Sequence, residues 1–206
     1  MEALTNDTYK TIVKPSEEVL FKAKNSKFYS HVFPVKTDGE VKNILNFLKK
    51  QHPKAGHFCY AYQRGTEKTK LTYRVNDDGE PSNSAGMPIY GQLQAFNVTN
   101  ILIVVVRYFG GIKLGVGGLI NAYKTSAQLA LEVSNIKEFT IKTAFLLKFD
   151  YKVMNKVMRV IKMKQLDIIN QKLELNCELT FLIRKSEANN IEDIFKSMYE
   201  VSIKKI

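Results

Sequence analysis

The chain has 206 residues, 45% of them hydrophobic and 25% charged, and a formal net charge of +11. That length fits one or two domains, with a core large enough to need no disulfide staples. No apolar run reaches the ~18 residues of a membrane helix, and residues 1–10 lack the apolar centre of a signal peptide. Cys59 and Cys177 stand far apart and outside any CxxC spacing, so the expectation is a cytoplasmic protein with reduced thiols.

The charge invites a nucleic-acid partner, because neutralising phosphates releases counterions. Yet 26 of the 31 basic residues are Lys and only five are Arg, and the excess is even, +6 over residues 1–135 and +5 over 136–206. Arg is the bidentate phosphate reader, so a diffuse Lys excess reads equally well as solvated faces.

In chain order, a polar lead precedes a hairpin over residues 19–24 and 27–35, turned at Asn25-Ser26. Thr37 and Glu40 have the spacing of a capping box. The helix they open carries Val41, Ile44, Leu45 and Leu48 on one face and ends before Pro53. Strands follow at 57–63 and 71–75, joined by a charged loop at 64–70. In the first of them His57, Cys59 and Ala61 alternate with Phe58, Tyr60 and Tyr62. A loop of turn formers then leads to a helix with Pro88 in its first turn and Ile89, Leu93 and Phe96 on one side. Residues 101–106 form a β-branched run suited to a central strand covered on both faces. A glycine-dense loop at 110–118 feeds a long helix over 119–133.

Beyond a boundary at 134–138 the pattern is β-α-β-β-α-β, with strands at 140–151, 165–170, 173–183 and 201–205 and helices at 153–163 and 187–199. That order is the ferredoxin-like one. Met154, Met158 and Met163 read as packing on a sheet. The expectation is an α+β protein of two domains, 1–135 and 136–206.

Chemistry concentrates in three segments. His57 and Cys59 share a strand face, but i, i+2 neighbours lie roughly 6–7 Å apart, poor geometry for a thiol–imidazole dyad. Asp77, Asp78 and Glu80 either hold magnesium or a proton, or serve the fold. In the second case the aspartates bond turn amides and Glu80 pairs with Arg107 or Lys113. Gly110, Gly111, Gly115, Gly117 and Gly118 allow backbone amides close to a ligand, with Arg107 and Lys113 adding positive charge for an anion. The loop fits neither G-x-x-x-x-G-K-[ST] nor G-x-G-x-x-G, and close packing explains glycines equally well. The aromatics Phe58, Tyr60, Tyr62, Tyr73, Tyr108 and Phe109 stack bases only where exposed, and at least half are expected in the core. Three His and two Cys, none clustered, argue against a zinc site, and no metal site is expected.

Together the H-x-C-x-A strand at His57, the N-D-D-G-E-P-x-x-x-A-G-x-P loop from Asn76, and V-V-R-Y-F-G-G-x-K-L-G-x-G-G-L from Val105 resemble the IMPACT/YigZ family over residues 17–135. Asn83 and Asn121 depart from the family's usual small residue and Arg. The resemblance implies a first domain like the second domain of small-subunit ribosomal protein five and a second domain like one of elongation factor G. It also implies a protein on the translation side of the cell.

Two functions follow. One is a monomeric, non-enzymatic binding protein for RNA, the ribosome or a translation-associated protein. Its cleft would be lined by His57, Asp78, Glu80, Arg107, Lys113 and the glycine backbone, and no cofactor would be needed. The other is an enzyme acting on a phosphorylated small molecule or nucleotide, with magnesium held by Asp78 or Glu80.

Overall fold

A computed structural model describes residues 7–66 and 71–206, which divide into two compact units. One is Tyr9–Phe139; the other joins Asp7 and Thr8 to Thr140–Ile206.

The first unit is built on a five-stranded antiparallel sheet in the order β2-β3-β6-β4-β5. Its strands are β2 (Val19–Ala23), β3 (Ser26–Pro34), β4 (His57–Arg64), β5 (Thr72–Asn76) and β6 (Ile101–Tyr108). The apolar run of β6 is buried from end to end, as a central strand covered on both faces requires. Its residues divide by parity. Ile101, Ile103 and Val105 join one core with α2 (Gly86–Ala95) and α3 (Gly115–Glu132), while Leu102, Val104 and Val106 join another under α1 (Asp38–Gln51). The same alternation sends Cys59 and Ala61 of β4 toward α2 and α3, and Phe58, Tyr60 and Tyr62 toward α1.

Thr37 and Glu40 form the expected capping box on α1, and such a cap contributes about 1 kcal/mol. The β2–β3 turn falls one residue earlier than expected, at Lys24-Asn25, both with positive φ (41° and 64°). That two-residue primed turn matches strand twist, and it frees Ser26 to become a buried strand residue.

Helix α3 begins at Gly115, four residues before the expected start, so Gly115, Gly117 and Gly118 are helical rather than loop. It presses Ala122, Ser126, Ala127 and Ala130 to the sheet, small side chains that permit close approach. A buried hydroxyl pair, Ser126 with Ser30, ties it down. The polar lead contributes β1 (Thr8–Thr11), which pairs with β7 (Lys137–Thr140); Tyr9 stacks on Phe139 at 5.8 Å. Part of the charged loop expected at 64–70 lies outside the described residues.

The second unit runs β8 (Lys142–Asp150), α4 (Met154–Met163), β9 (Asp167–Lys172), β10 (Asn176–Arg184), α5 (Ala188–Lys196) and β11 (Val201–Lys205). Its antiparallel sheet has the order β11-β8-β10-β9. Phe145, Leu147 and Phe149 of β8 and Cys177, Leu179 and Phe181 of β10 meet Val157 and Ile161 of α4 and Phe195 of α5. The single strand expected at 140–151 is interrupted at Ile141, whose N–H donates to Asp7 O and whose carbonyl accepts from Lys185 N–H. Of the methionines expected to pack, Met154 does so, but Met158 and Met163 are exposed, because Val157, Val160 and Ile161 occupy the buried stripe.

Candidate functional site

The three sequence segments converge on the α2/α3 side of the first sheet. Register places His57 opposite Arg107, and Arg107 opposite Phe28. The loop after β5 then folds over this corner, and its acids are absorbed by the fold. Asp77 accepts from the amides of Asn83, Ala85 and Gly86 at 2.9, 3.0 and 2.8 Å, closing the start of α2, where the helix has no cap of its own. Asp78 accepts from Phe58 N–H at 2.7 Å and pins the loop to β4. Its φ of 42° and the 86° of Gly79 make the turn that allows this.

Glu80 is the hub. Its side chain is 4% exposed, and Oε1 accepts from Arg107 Nη1 at 2.6 Å and from the Tyr123 hydroxyl at 2.7 Å, with His57 Nε2 3.9 Å away. Arg107, 5% exposed, also reaches Ser26 Oγ at 3.4 Å, and its guanidinium lies 5.5 Å from the ring centroids of both Phe28 and Phe109. This is the second of the two arrangements open in the sequence, with Glu80 paired to Arg107 rather than Lys113. Tyr123 and Ser26 are members the sequence did not mark. Tyr123 falls in the apolar phase of α3, and Ser26 stands beside Asn25 in a pair that suits a turn.

His57 donates from Nδ1 to the Asp78 carbonyl at 2.8 Å, since that oxygen can only accept. Cys59 Sγ sits 3.0 Å from Asp77 O and 3.3 Å from Tyr123 Oη. Burial, with the nearby carboxylates adding to it, pushes its thiol far above the ordinary range. Burial does the same to the Tyr123 phenol. No thiolate nucleophile is poised here.

The glycines separate into two kinds. A Cβ on Gly110 would lie 2.1 Å from the Asn25 carbonyl carbon, so the strand end can meet the β2–β3 turn only as glycine. Gly111 and Gly115 adopt φ of 83° and 73°, which disfavours other residues. Gly117 has neither constraint: its φ is ordinary and nothing lies within 4 Å of the position a Cβ would take. Around it Lys113 and Asn121 are exposed, and so are the apolar Phe109, Ile112, Val116 and Ile120. The α3 amides at this end have no side-chain cap. Of the six aromatics, Phe58, Tyr60 and Tyr62 are core, while Tyr73 and Phe109 are exposed.

A cavity of about 460 Å³ lies elsewhere in this unit, lined by Tyr9, Thr11, Val35, Lys36 and Asn100 among others; none of the candidate residues borders it. No helix among the described residues is long and apolar enough to cross a membrane.

The arrangement is that of a mixed α/β, two-unit protein whose clustered acids are hydrogen-bonded within the fold and whose glycine-rich helix start faces solvent. The profile of the Impact N-terminal domain matches residues 24–131, and the chain belongs to the IMPACT family. An IMPACT family member of Haemophilus influenzae is 33% identical over 167 residues, covering 80% of this chain and 81% of the relative. The Escherichia coli member YigZ is 36% identical over 135 residues, 65% of each chain. A crystal structure of a hypothetical protein superposes with a TM-score of 0.71 at 25% identity, covering 97% of this chain and 98% of that one.

Proposed function

We propose that the chain is a non-enzymatic binding protein of the cytoplasm, acting on the translation side. On this reading it engages RNA, the ribosome or a translation-associated protein through the exposed start of α3. The observation that carries this is the open turn itself. Uncapped amides beside Lys113 suit an anionic group, while Ile112, Val116 and Phe109 offer apolar contact around it. Gly117 supports the same reading, because a helical glycine is disfavoured relative to alanine by up to roughly 1 kcal/mol and the fold does not require this one.

The magnesium-dependent alternative is disfavoured, since both oxygens of Asp77 and one oxygen each of Asp78 and Glu80 are already engaged by amides, Arg107 and Tyr123. Arg107 and Glu80 then shape the surface, while His57, Lys113 and the glycine backbone meet the partner. In this reading the first unit has the fold of the second domain of small-subunit ribosomal protein five and the second is ferredoxin-like, as its strand order supports. The protein works as a monomer.

The test is fluorescence anisotropy against ribosomal subunits and a structured RNA across a salt series. Wild type should bind with a marked salt slope, which Lys113→Ala lowers by about one phosphate contact. Val116→Asp should weaken binding at every salt concentration. Absence of binding at low salt, or binding indifferent to both variants, would overturn the proposal.

A further inference from the structure

On the opposite face of the same sheet, under α1, three potential ligands converge from separate parts of the chain. His31 lies on β3, His52 caps the C-terminus of α1, and Glu18 immediately precedes β2. The histidines are 21 positions apart and show no ligand spacing in the sequence. Capping of α1 and the odd-residue face of β3 bring their rings to 5.7 Å. We infer that Glu18, His31 and His52 form a site for a divalent transition metal of the zinc class, with three protein ligands and a fourth position open to solvent.

Geometry is the first support. Glu18 Oε2 stands 3.3 Å from His31 Nε2 and 3.4 Å from His52 Nε2, and the three donors all lie within 4.8 Å of one another. Ligands at bonds of about 2.0–2.1 Å around a tetrahedral ion are separated by about 3.3–3.4 Å, so both carboxylate–imidazole edges have the length zinc demands. Octahedral coordination would bring neighbouring donors closer, to about 3 Å.

Unmet bonding is the second, independent support. His31 is 7% exposed, and its Nε2 is buried without a hydrogen-bond partner despite the carboxylate beside it. An orphaned acceptor in such a place is a cost that a cation removes.

The surroundings are those of a built site. His52 Nδ1 lies 3.1 Å from Tyr108 Oη, a bond that fixes the ring with Nε2 toward Glu18. Tyr29 at 5.5 Å and Tyr108 at 5.9 Å pack against the His52 ring, and Phe33 stacks on His31 at 6.0 Å. Glu18 is 43% exposed and gives an ion a way in. Bound there, the metal would clip the segment before β2, strand β3 and the end of α1 to one another.

The experiment is titration of tag-free, chelator-stripped full-length protein with Zn²⁺ and with Co²⁺, read by calorimetry and by the visible absorption that tetrahedral cobalt acquires. One equivalent should bind per chain, and Zn²⁺ should raise the melting temperature. His31→Ala and His52→Ala should each weaken binding at least a hundredfold, Glu18→Gln and Tyr108→Phe about tenfold, and His57→Ala not at all. Thermal melts in chelator establish that each variant folds. Should His31→Ala melt early, His31→Gln, which keeps the volume, serves in its place. Failure of the folded wild type to bind either metal at micromolar concentration overturns the site. So does binding that survives loss of both histidines.

Discussion

Arg107 Nη1 and Glu80 Oε1 meet at 2.6 Å with each side chain about 95% buried, and Tyr123 donates to the same carboxylate oxygen. A pair removed from water this far acquires its value from completeness, since either partner alone is a buried uncompensated charge. Arg107→Ala should therefore destabilise the first unit by about 3–5 kcal/mol, whereas Arg107→Met combined with Glu80→Leu should recover much of that. Urea denaturation of the three proteins measures it. A neutral single variant would mean that the pair is solvated.

The two kinds of glycine predict opposite outcomes for one chemical change. Gly110→Ala drives a methyl into the Asn25 backbone and should unfold the corner or cost several kcal/mol, as overpacking against backbone does. Gly117→Ala enters open space at helical φ and should stabilise by about 0.5–1 kcal/mol. The same variant should bind ribosomal subunits less well if close backbone approach is its purpose. A gain in melting temperature with unchanged binding would make Gly117 neutral to function.

In the second unit, Arg184 grips Asp7 with Nε at 2.7 Å and Nη2 at 3.1 Å, and Ser186 N–H adds a third donor. Arg184 first, then Ser186, lowers the Asp7 carboxyl from 3.8 to about 2. A depressed acid stabilises the fold fully above its unfolded value and loses that contribution as pH falls through the folded one. The loss should thus set in near pH 5 and be complete only near pH 1, below both values. Carboxyl NMR titration should give a midpoint near 2 that rises toward 3.8 in Arg184→Ala, and Asp7→Asn should remove this part of the acid transition.

Neither cysteine should behave as a reactive thiol. Cys59 is fully buried with its thiolate strongly disfavoured, and Cys177 is fully buried beneath α4 and α5. A thiol reagent at pH 8 should find no fast-reacting group in the native protein and two after denaturation. A single fast thiol would point to local opening at the Cys59–Tyr123 contact.

Local signals in the sequence are legible where one force dominates. The Thr37–Glu40 box, the β-branched run of β6 and the alternation along β4 each depend on neighbours a few positions away, and each stands as expected. The start of α3 lies earlier than its glycines suggest, because glycine has low helix propensity and the packing of Leu119 and Tyr123 overrides it. The carboxylates could be read either way, since whether Asp77 binds a cation or three amides is decided by the path of the loop, not by composition. The cluster of His31 and His52 is not legible for a related reason: one lies on β3 and the other caps α1, and only tertiary packing brings them together.

Strands β1 and β7 have a consequence for how this protein could be rebuilt. They pair the beginning of the first unit with its end, Tyr9 stacked on Phe139, so the chain enters and leaves that unit at one spot. A module with adjoining ends can be lifted out and grafted into a surface loop of a host without stretching either. Residues 9–139 are thus a natural cassette, transplantable as one piece with the glycine turn and the histidine pair aboard.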